Sequence, residues 1–522
     1  MSWQNNGWGK SSYNPGPTPQ YAHPTGPLPQ GNDPYAPGDG STGGYAGGFE
    51  AEGYDGGRRF EPNKRIRDSF FLVLFIAQFA GFAVVSGLAI ATWVSQDGLG
   101  GGVGSGNTGT SITLNKHTVY LLLFVSAAAL AFSTLYLVFT RTFTKMVMHV
   151  TLLLSIALNL AVFGYYVYTG YISGAIIFGI IAVVSVLSYF GFRSRIPLAA
   201  LLLQVVVDIS EHHKSVYVVA FVGLLIQSAL NIWLTFTTIA TYNKWTPGNP
   251  SCNTGTSCSS GTVAGLIFFE IFSYYWTSEV INNVVLATLA GGPYGSWYYF
   301  GPKGQGMPDK PTRKAFVRAS TSSLGSIAFG SLVVAIFDVI RLMLSALRQA
   351  SVDNQNPIAA VFACCAECFF GCIQSMIQYF NRYAYIEIAL YGKPYIPAAR
   401  DTWRLFRDRG IDALVNDSLI GITMTWGAYI VGMISSLFGY LYLKYTHPAY
   451  NDQGQYTAPV ILLAFLIGIQ CSLTLTSAIE AGVSTIFVGL AEDPQVLAQR
   501  SPPLFEMIAQ RYPRVVQGIP RV

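Results

Sequence analysis

The chain has 522 residues, of which 51% are hydrophobic and 11% are charged, and its formal net charge at pH 7 is +5. Soluble globular proteins carry about 25% charged residues, so the composition excludes an ordinary soluble protein. A net charge this small for the length also argues against nucleic-acid binding, and we expect no nucleic-acid partner.

The first 60 residues differ in composition from the rest of the chain. Gly, Pro, Tyr, Ser and Asn dominate them, and aliphatic side chains are nearly absent. Such a segment cannot bury enough apolar surface to offset the entropy lost on ordering. It also lacks the apolar centre of a signal peptide. We therefore predict a disordered Gly/Pro/Tyr-rich tail over residues 1–60, a transmembrane helical domain over 61–490 and a C-terminal tail over 491–522.

Ten apolar runs follow the tail, each long enough to cross a bilayer. A hydrocarbon core about 30 Å thick needs roughly 20 apolar helical residues, and the first run, over Phe70–Trp93, holds no charge. We predict an all-α polytopic membrane protein of about ten transmembrane helices. The predicted spans cover residues 69–95, 117–139, 146–168, 171–191, 215–242, 261–289, 321–348, 357–382, 417–444 and 457–488.

Basic residues in the short connections indicate which end of each span faces the cytoplasm. Five Lys or Arg side chains lie in residues 58–67, just before the first span, five lie between the sixth and seventh spans, and six lie in residues 382–409. The loop after the first span holds a single lysine. This distribution predicts that both termini are cytoplasmic.

Two segments on the cytoplasmic side could lie along the membrane surface. The apolar stretch 196–210 is too short to span, and we expect either an interfacial helix or an extension of the fifth span. Further on, Arg400, Arg404 and Arg407 share one helical face. That face could contact anionic lipid or could be an ordinary solvated face.

Six of the seven cysteines fall into two groups. Cys252 and Cys258 lie in a predicted outer loop, where an oxidising exterior favours a disulfide between them over two free thiols. Four more cysteines cluster in the eighth span, between Cys364 and Cys372. A soft metal could use such a face, but buried cysteine more often packs as a small hydrophobe, so we expect no metal site.

The sixth span is the richest in polar and aromatic side chains. Helical steps of three and four residues place aromatic rings, a carboxylate and an amide on or beside one face. A quaternary ammonium ligand needs this combination, because ring faces attract the cation and the carboxylate balances its charge. The alternative is ordinary packing of the aromatics and a hydrogen bond from the acid to the next helix. The predicted cation site comprises Phe272, Tyr275, Trp276, Glu279 and Asn282.

Other ionisable residues inside the spans are costly in lipid and therefore candidates for function. Asp338 and Arg341 are three residues apart, and we predict an intramembrane ion pair. Glu367 is expected to be unpaired and to line a cavity. Glu480 is expected either to bind a proton or to pair with a basic loop residue, and His149 to pack.

The sequence contains no P-loop, HExxH or GxSxG motif and no soluble segment long enough for a catalytic domain. We predict that the protein is not an enzyme, has no catalytic residues and uses no cofactor.

Several stretches resemble the choline transporter-like family. They are FRSRIPLA at Phe192–Ala199, GSWYY at Gly295–Tyr299, YAYIEIALYGKPY at Tyr383–Tyr395 and LVNDSLI at Leu414–Ile420. Within the family the chain is most similar to the fungal branch, the pH-nine-sensitive proteins. The similarity covers about residues 60–515 and includes the Gly/Pro/Tyr-rich leader.

This resemblance implies a ten-span protein with inner termini at the plasma membrane, with choline or a related small organic cation as its substrate. Its other expected partners are membrane lipids. Two alternatives remain: a non-transporting scaffold or stress-response protein that acts through its cytoplasmic tail, and a lipid-handling protein.

Overall fold

The computed structural model describes residues 65–97, 116–193, 195–247, 259–301, 306–354, 356–447 and 457–500, together with 451, 454, 505, 506, 508 and 509. Regular secondary structure in this part of the chain is helical, which confirms the all-α class. The predicted tail over 1–60 and the predicted disulfide between Cys252 and Cys258 lie outside the described residues.

Fourteen helices form the described part, and a π-helical turn, Ala290–Tyr294, joins the seventh to the eighth. They are α1 Ser69–Asp97, α2 Lys116–Thr142, α3 Thr144–Tyr168, α4 Ile172–Phe192, α5 Ile196–His212, α6 Ser215–Trp245, α7 Ser260–Leu289, α8 Gly295–Phe300, α9 Pro311–Ser320, α10 Leu324–Asp353, α11 Pro357–Tyr391, α12 Tyr395–Thr446, α13 Thr457–Glu492 and α14 Pro494–Arg500.

Each predicted span corresponds to one of these helices. Within the described residues, nine helices are long and apolar enough to cross a membrane, and α7 is the predicted span that falls outside this set. Its 30 residues would suffice, but its acids and amides lower its hydropathy. It packs against α1, α6, α10, α11 and α13, so helices rather than lipid cover much of its polar surface. A polytopic membrane protein is confirmed, while the cytoplasmic termini stay a prediction.

The α5 helix is not an extension of the fifth span, so that expectation for residues 196–210 was wrong, while an interfacial helix stays a prediction. The chain leaves helical geometry at His213, which separates α5 from α6. Ten of its 17 residues are buried, and it packs against α3, α12 and α13. A short apolar helix can satisfy its hydrophobic face with protein as well as with lipid, and here protein covers it.

The largest buried apolar cluster lies where α5, α8, α11 and α13 meet, and it includes Leu203, Val206, Tyr294 and Ile479. Gly482 of α13 permits this close approach. A Cβ atom there would lie 2.5 Å from Val206 and 2.6 Å from the Tyr294 ring. Both contacts are far inside van der Waals distance, so a larger side chain would force the helices apart.

We expect Gly482→Val to lower the free energy of unfolding by at least about 1–3 kcal/mol, the usual cost of overpacking. Thermal unfolding of the purified protein in detergent measures the effect. Gly87→Val in α1 is the matched control, because a Cβ atom at Gly87 meets nothing within 4 Å. Equal melting temperatures for the two variants would contradict this account of α13 packing.

Candidate functional site

A cavity of about 410 Å³ lies among α6, α7, α10, α11 and α13, and we call it the polar cavity. Its volume falls within the range of roughly 300–1,000 Å³ found for small-molecule sites. Two of its lining residues are charged, Glu279 and Arg382. Amide and hydroxyl side chains supply the remaining polar lining: Gln227, Asn282, Asn283, Gln378, Asn381, Tyr385, Gln470, Thr474 and Ser477.

The carboxylate of Glu279 faces this cavity from α7. Asn283, one helical turn later, donates to Glu279 at 3.5 Å and to the Ser331 hydroxyl of α10 at 3.0 Å. Among the ion pairs of the described residues, none includes Glu279. A carboxylate in such surroundings is well placed to balance the charge of a bound cation.

Arg382 of α11 is the basic residue of the polar cavity, and its charge is balanced. Its guanidinium donates to the Glu480 carboxylate of α13 at 3.1 Å. Of the two roles expected for Glu480, the structure shows pairing with a basic residue. Because this pair is neutral overall, Glu279 is the acid of the polar cavity that the ion pairs of the described residues leave uncompensated.

The predicted aromatic residues lie elsewhere on α7. The Trp276 side chain is 1% exposed, and its indole N–H donates to the backbone oxygen of Ala328 at 2.9 Å. Its ring centroid lies 5.5 Å from that of Phe75 and 5.8 Å from that of Phe272. Tyr275 packs at the edge of the same cluster. Of the predicted set, the structure brings Glu279 and Asn282 to the cavity and places the three aromatics in this packing cluster.

Tyr385 of α11 is an aromatic residue that does line the polar cavity, although it is not among the residues predicted from the sequence. The sequence does indicate a polar face on α11. Steps of three, one and three residues place Gln378, Asn381, Arg382 and Tyr385 on one side of the helix. That polar face of α11 lines the same cavity as the face of α7 that carries Glu279.

The remaining ionisable groups of the spans lie outside the polar cavity. Arg341 donates to the Gln374 side-chain oxygen at 2.9 Å, and the Gln374 amide donates to Asp338, so a glutamine of α11 connects the two predicted partners. The expectation that Glu367 is unpaired was wrong. Its carboxylate lies 3.2 Å from the Arg348 guanidinium of α10, and Glu367 does not contribute to the polar cavity.

Comparison with known proteins places these features in a family. A family model described as "Plasma-membrane choline transporter" matches residues 176–495, a range that contains every lining residue of the polar cavity. The chain belongs to the choline transporter-like family. Membership in this family points to a membrane transporter rather than an enzyme.

Curated relatives place the chain in the fungal branch. Protein PNS1 of Cryptococcus neoformans var. neoformans serotype D is 60% identical over 469 residues, which cover 89% of this chain and 85% of the relative. Protein PNS1 of Mycosarcoma maydis is 43% identical over 474 residues, covering 90% and 88%. Protein PNS1 of Neurospora crassa is 38% identical over 520 residues, covering 97% and 93%. The resemblance drawn from the sequence motifs is confirmed.

Two of the segments that carry the family resemblance, Gly295–Tyr299 and Tyr383–Tyr395, contribute to a polar layer beyond the cavity. Lys393 donates to Glu387 and to Asp401, each at 2.9 Å. Nearby, the Tyr299 hydroxyl donates to Asp493 at 2.7 Å and lies 2.6 Å from the Tyr391 hydroxyl. Burial lowers the pKa of Lys393, but the neighbouring carboxylates outweigh burial and hold that pKa above its usual value. Lys393 therefore stays charged and pairs with both Glu387 and Asp401.

We expect Lys393→Gln to destabilise the transporter by about 3–5 kcal/mol, because Glu387 is fully buried and would lose its cationic partner. Lys393→Arg keeps the positive charge and serves as the control. Two measurements check the effect: the thermal unfolding temperature, and the loss of the monodisperse peak in size-exclusion chromatography. If the glutamine and arginine variants were equally stable, Lys393 would not be the group that compensates Glu387.

Proposed function

We propose that this transporter moves choline or a related small organic cation across the plasma membrane through the polar cavity. The observation that carries the proposal is the Glu279 carboxylate, which lines the cavity without a basic partner in the described chain. The other charged lining residue, Arg382, is neutralised by Glu480. The family match supports the choice of substrate class.

The lining groups suit the chemistry of choline. A quaternary ammonium group has no hydrogen to donate, so it is held by a negative charge and by aromatic ring faces. Glu279 supplies the charge and Tyr385 the ring, while amides such as Asn282 can bond the hydroxyl group of choline. An inside-negative membrane potential favours entry of a cation by about 2.3 kcal/mol per 100 mV, so no coupling ion is required.

Passage through the cavity requires access from each side in turn. We propose that the polar layer around Lys393 and Tyr299 closes one end of the cavity and rearranges during transport. Its residues come from α8, the end of α11, the start of α12 and the residue after α13, so a movement of these helix ends would open it.

Flux of labelled choline into proteoliposomes of the purified protein tests the proposal. We expect saturable uptake that rises with an inside-negative potential and is inhibited by choline analogues but not by 3,3-dimethyl-1-butanol, which replaces the charged nitrogen with carbon. Equal inhibition by the neutral analogue, or uptake no faster than in protein-free liposomes, would contradict the proposal. Deletion of residues 1–60 separates transport from a scaffold role, because a transporter should keep its flux without the tail.

A further inference from the structure

The first section of α12, Tyr395–Arg407, lies across α11 rather than along it. The Tyr395 hydroxyl donates to the Asn381 side chain of α11 at 2.6 Å. Eleven residues later, the Phe406 ring centroid lies 4.9 Å from that of Tyr383 and 5.5 Å from that of Tyr379. A helix rises 1.5 Å per residue, so Tyr395 and Phe406 are about 16 Å apart along α12. Both nevertheless contact the same two turns of α11, so the two helices cross.

This crossing section begins at the level where two spans begin. The backbone N–H of Tyr395 donates to Asp68 at 2.9 Å, and the hydroxyl of Ser326 donates to the same carboxylate at 2.6 Å. Asp68 immediately precedes α1, and Ser326 lies in the first turn of α10. Since α1 and α10 are both candidate membrane spans, the start of the section lies at the level where those spans begin, as an interfacial helix would.

One face of the section packs on the bundle, with Ala398, Thr402 and Leu405 buried. The other face is exposed and combines arginine with large apolar side chains. Trp403 is 66% exposed and Ile396 is 58% exposed. We call this face the arginine stripe, and it consists of Ile396, Arg400, Trp403, Arg404 and Arg407.

The composition of the arginine stripe favours lipid over water. Tryptophan concentrates where a membrane meets water, because its ring is apolar and its N–H is polar. Arg404 lies 3.5 Å from Asp401, but Asp401 also accepts from Lys393 at 2.9 Å. The acid is thus shared between two cations, and the stripe keeps an excess of positive charge.

We propose that Tyr395–Arg407 is an interfacial helix whose arginine stripe binds the headgroups of anionic phospholipids. Trp403 and Ile396 enter the boundary between headgroups and acyl chains. The guanidinium groups bind the lipid phosphates, for which their planar, forked donors are well suited. The opposite face of this helix carries Tyr395, which bonds the cavity residue Asn381, so lipid bound at the stripe lies one helix away from the polar cavity.

Titration of the full-length protein in neutral detergent with phosphatidylserine, followed by native mass spectrometry, tests the binding. Each arginine near an anionic surface strengthens binding by about fivefold, so R400Q/R404Q is expected to weaken it about 30-fold. R313Q/K314Q is the control, because it removes the same charge from exposed positions of α9. We expect this control to bind within about twofold of the wild type. Equal losses in both variants would indicate a general charge effect and overturn the proposal.

Membrane depth provides a second test. A spin label at Trp403→Cys in liposomes that contain phosphatidylserine is expected to be accessible to oxygen and shielded from a water-soluble nickel complex. A label at the exposed position Phe70, in the first turn of α1, is the reference for lipid. A label at the exposed position Asp309 is the reference for water. If the label at 403 resembled the one at 309, the stripe would be a solvated helix face and the proposal would fail.

Discussion

Glu279→Gln is expected to lower the kcat/KM for choline uptake by about 100- to 1,000-fold. At about 4 Å, a carboxylate and a cation attract by roughly 4 kcal/mol at the effective dielectric of partly buried sites, and each 1.4 kcal/mol corresponds to a factor of ten. Glutamine preserves the shape of the side chain and its hydrogen bond from Asn283 but removes the charge. The loss should therefore appear in flux and in choline binding, while the folded protein remains.

Glu367→Gln is the matched control for this prediction. Glu367 is another acid in a spanning helix, but it pairs with Arg348 outside the polar cavity, so its neutralisation should leave kcat/KM within about threefold of the wild type. Thermal unfolding of both variants checks that they fold. Choline flux that survives Glu279→Gln would remove Glu279 from the proposed site and leave the transporter class standing.

Glu480→Gln is expected to reduce choline uptake by about 100-fold or more, although Glu480 itself is not a lining residue of the cavity. The substitution removes the carboxylate that pairs with Arg382 on the cavity wall, and at about 4 Å two unit charges interact by roughly 4 kcal/mol at the effective dielectric of partly buried sites. The guanidinium, no longer paired with Glu480, would repel a cation and compete with it for Glu279.

The double variant R382Q/E480Q distinguishes this explanation from a direct role of Glu480. Removal of both charges restores the neutrality of the pair and leaves Glu279 as the negative group, so we expect most of the lost uptake to return. If the double variant were as inactive as Glu480→Gln alone, Glu480 would act directly on the substrate or on a proton, and the balance of charge with Arg382 would not explain the loss.

The spans could be predicted because long apolar runs leave few alternatives to a bilayer, and Glu279 could be selected because an acid in such a run is costly. The fate of the neighbouring aromatics could not be predicted. Helical spacing groups Trp276 with Glu279, but only the positions of α1 and α10 show that Trp276 packs away from the cavity.

Contacts between helices account for the other differences between the sequence-based predictions and the structure. Glu367 was expected to be unpaired because its partner, Arg348, comes from a different helix across a connection whose geometry the sequence does not specify. The burial of α5 also depends on how other helices pack, because an apolar helix face can contact either lipid or protein. Tyr385 could have been predicted from the sequence, because the spacing of polar residues on α11 identifies the face of that helix that lines the cavity.

The most direct test of the cation site is an experimental structure of the protein with bound choline in lipid. We expect the quaternary ammonium group in the polar cavity, within about 6 Å of the Tyr385 ring centroid and about 4–6 Å from the Glu279 carboxylate. Choline density among Phe272, Tyr275 and Trp276, with the polar cavity empty, would contradict the account.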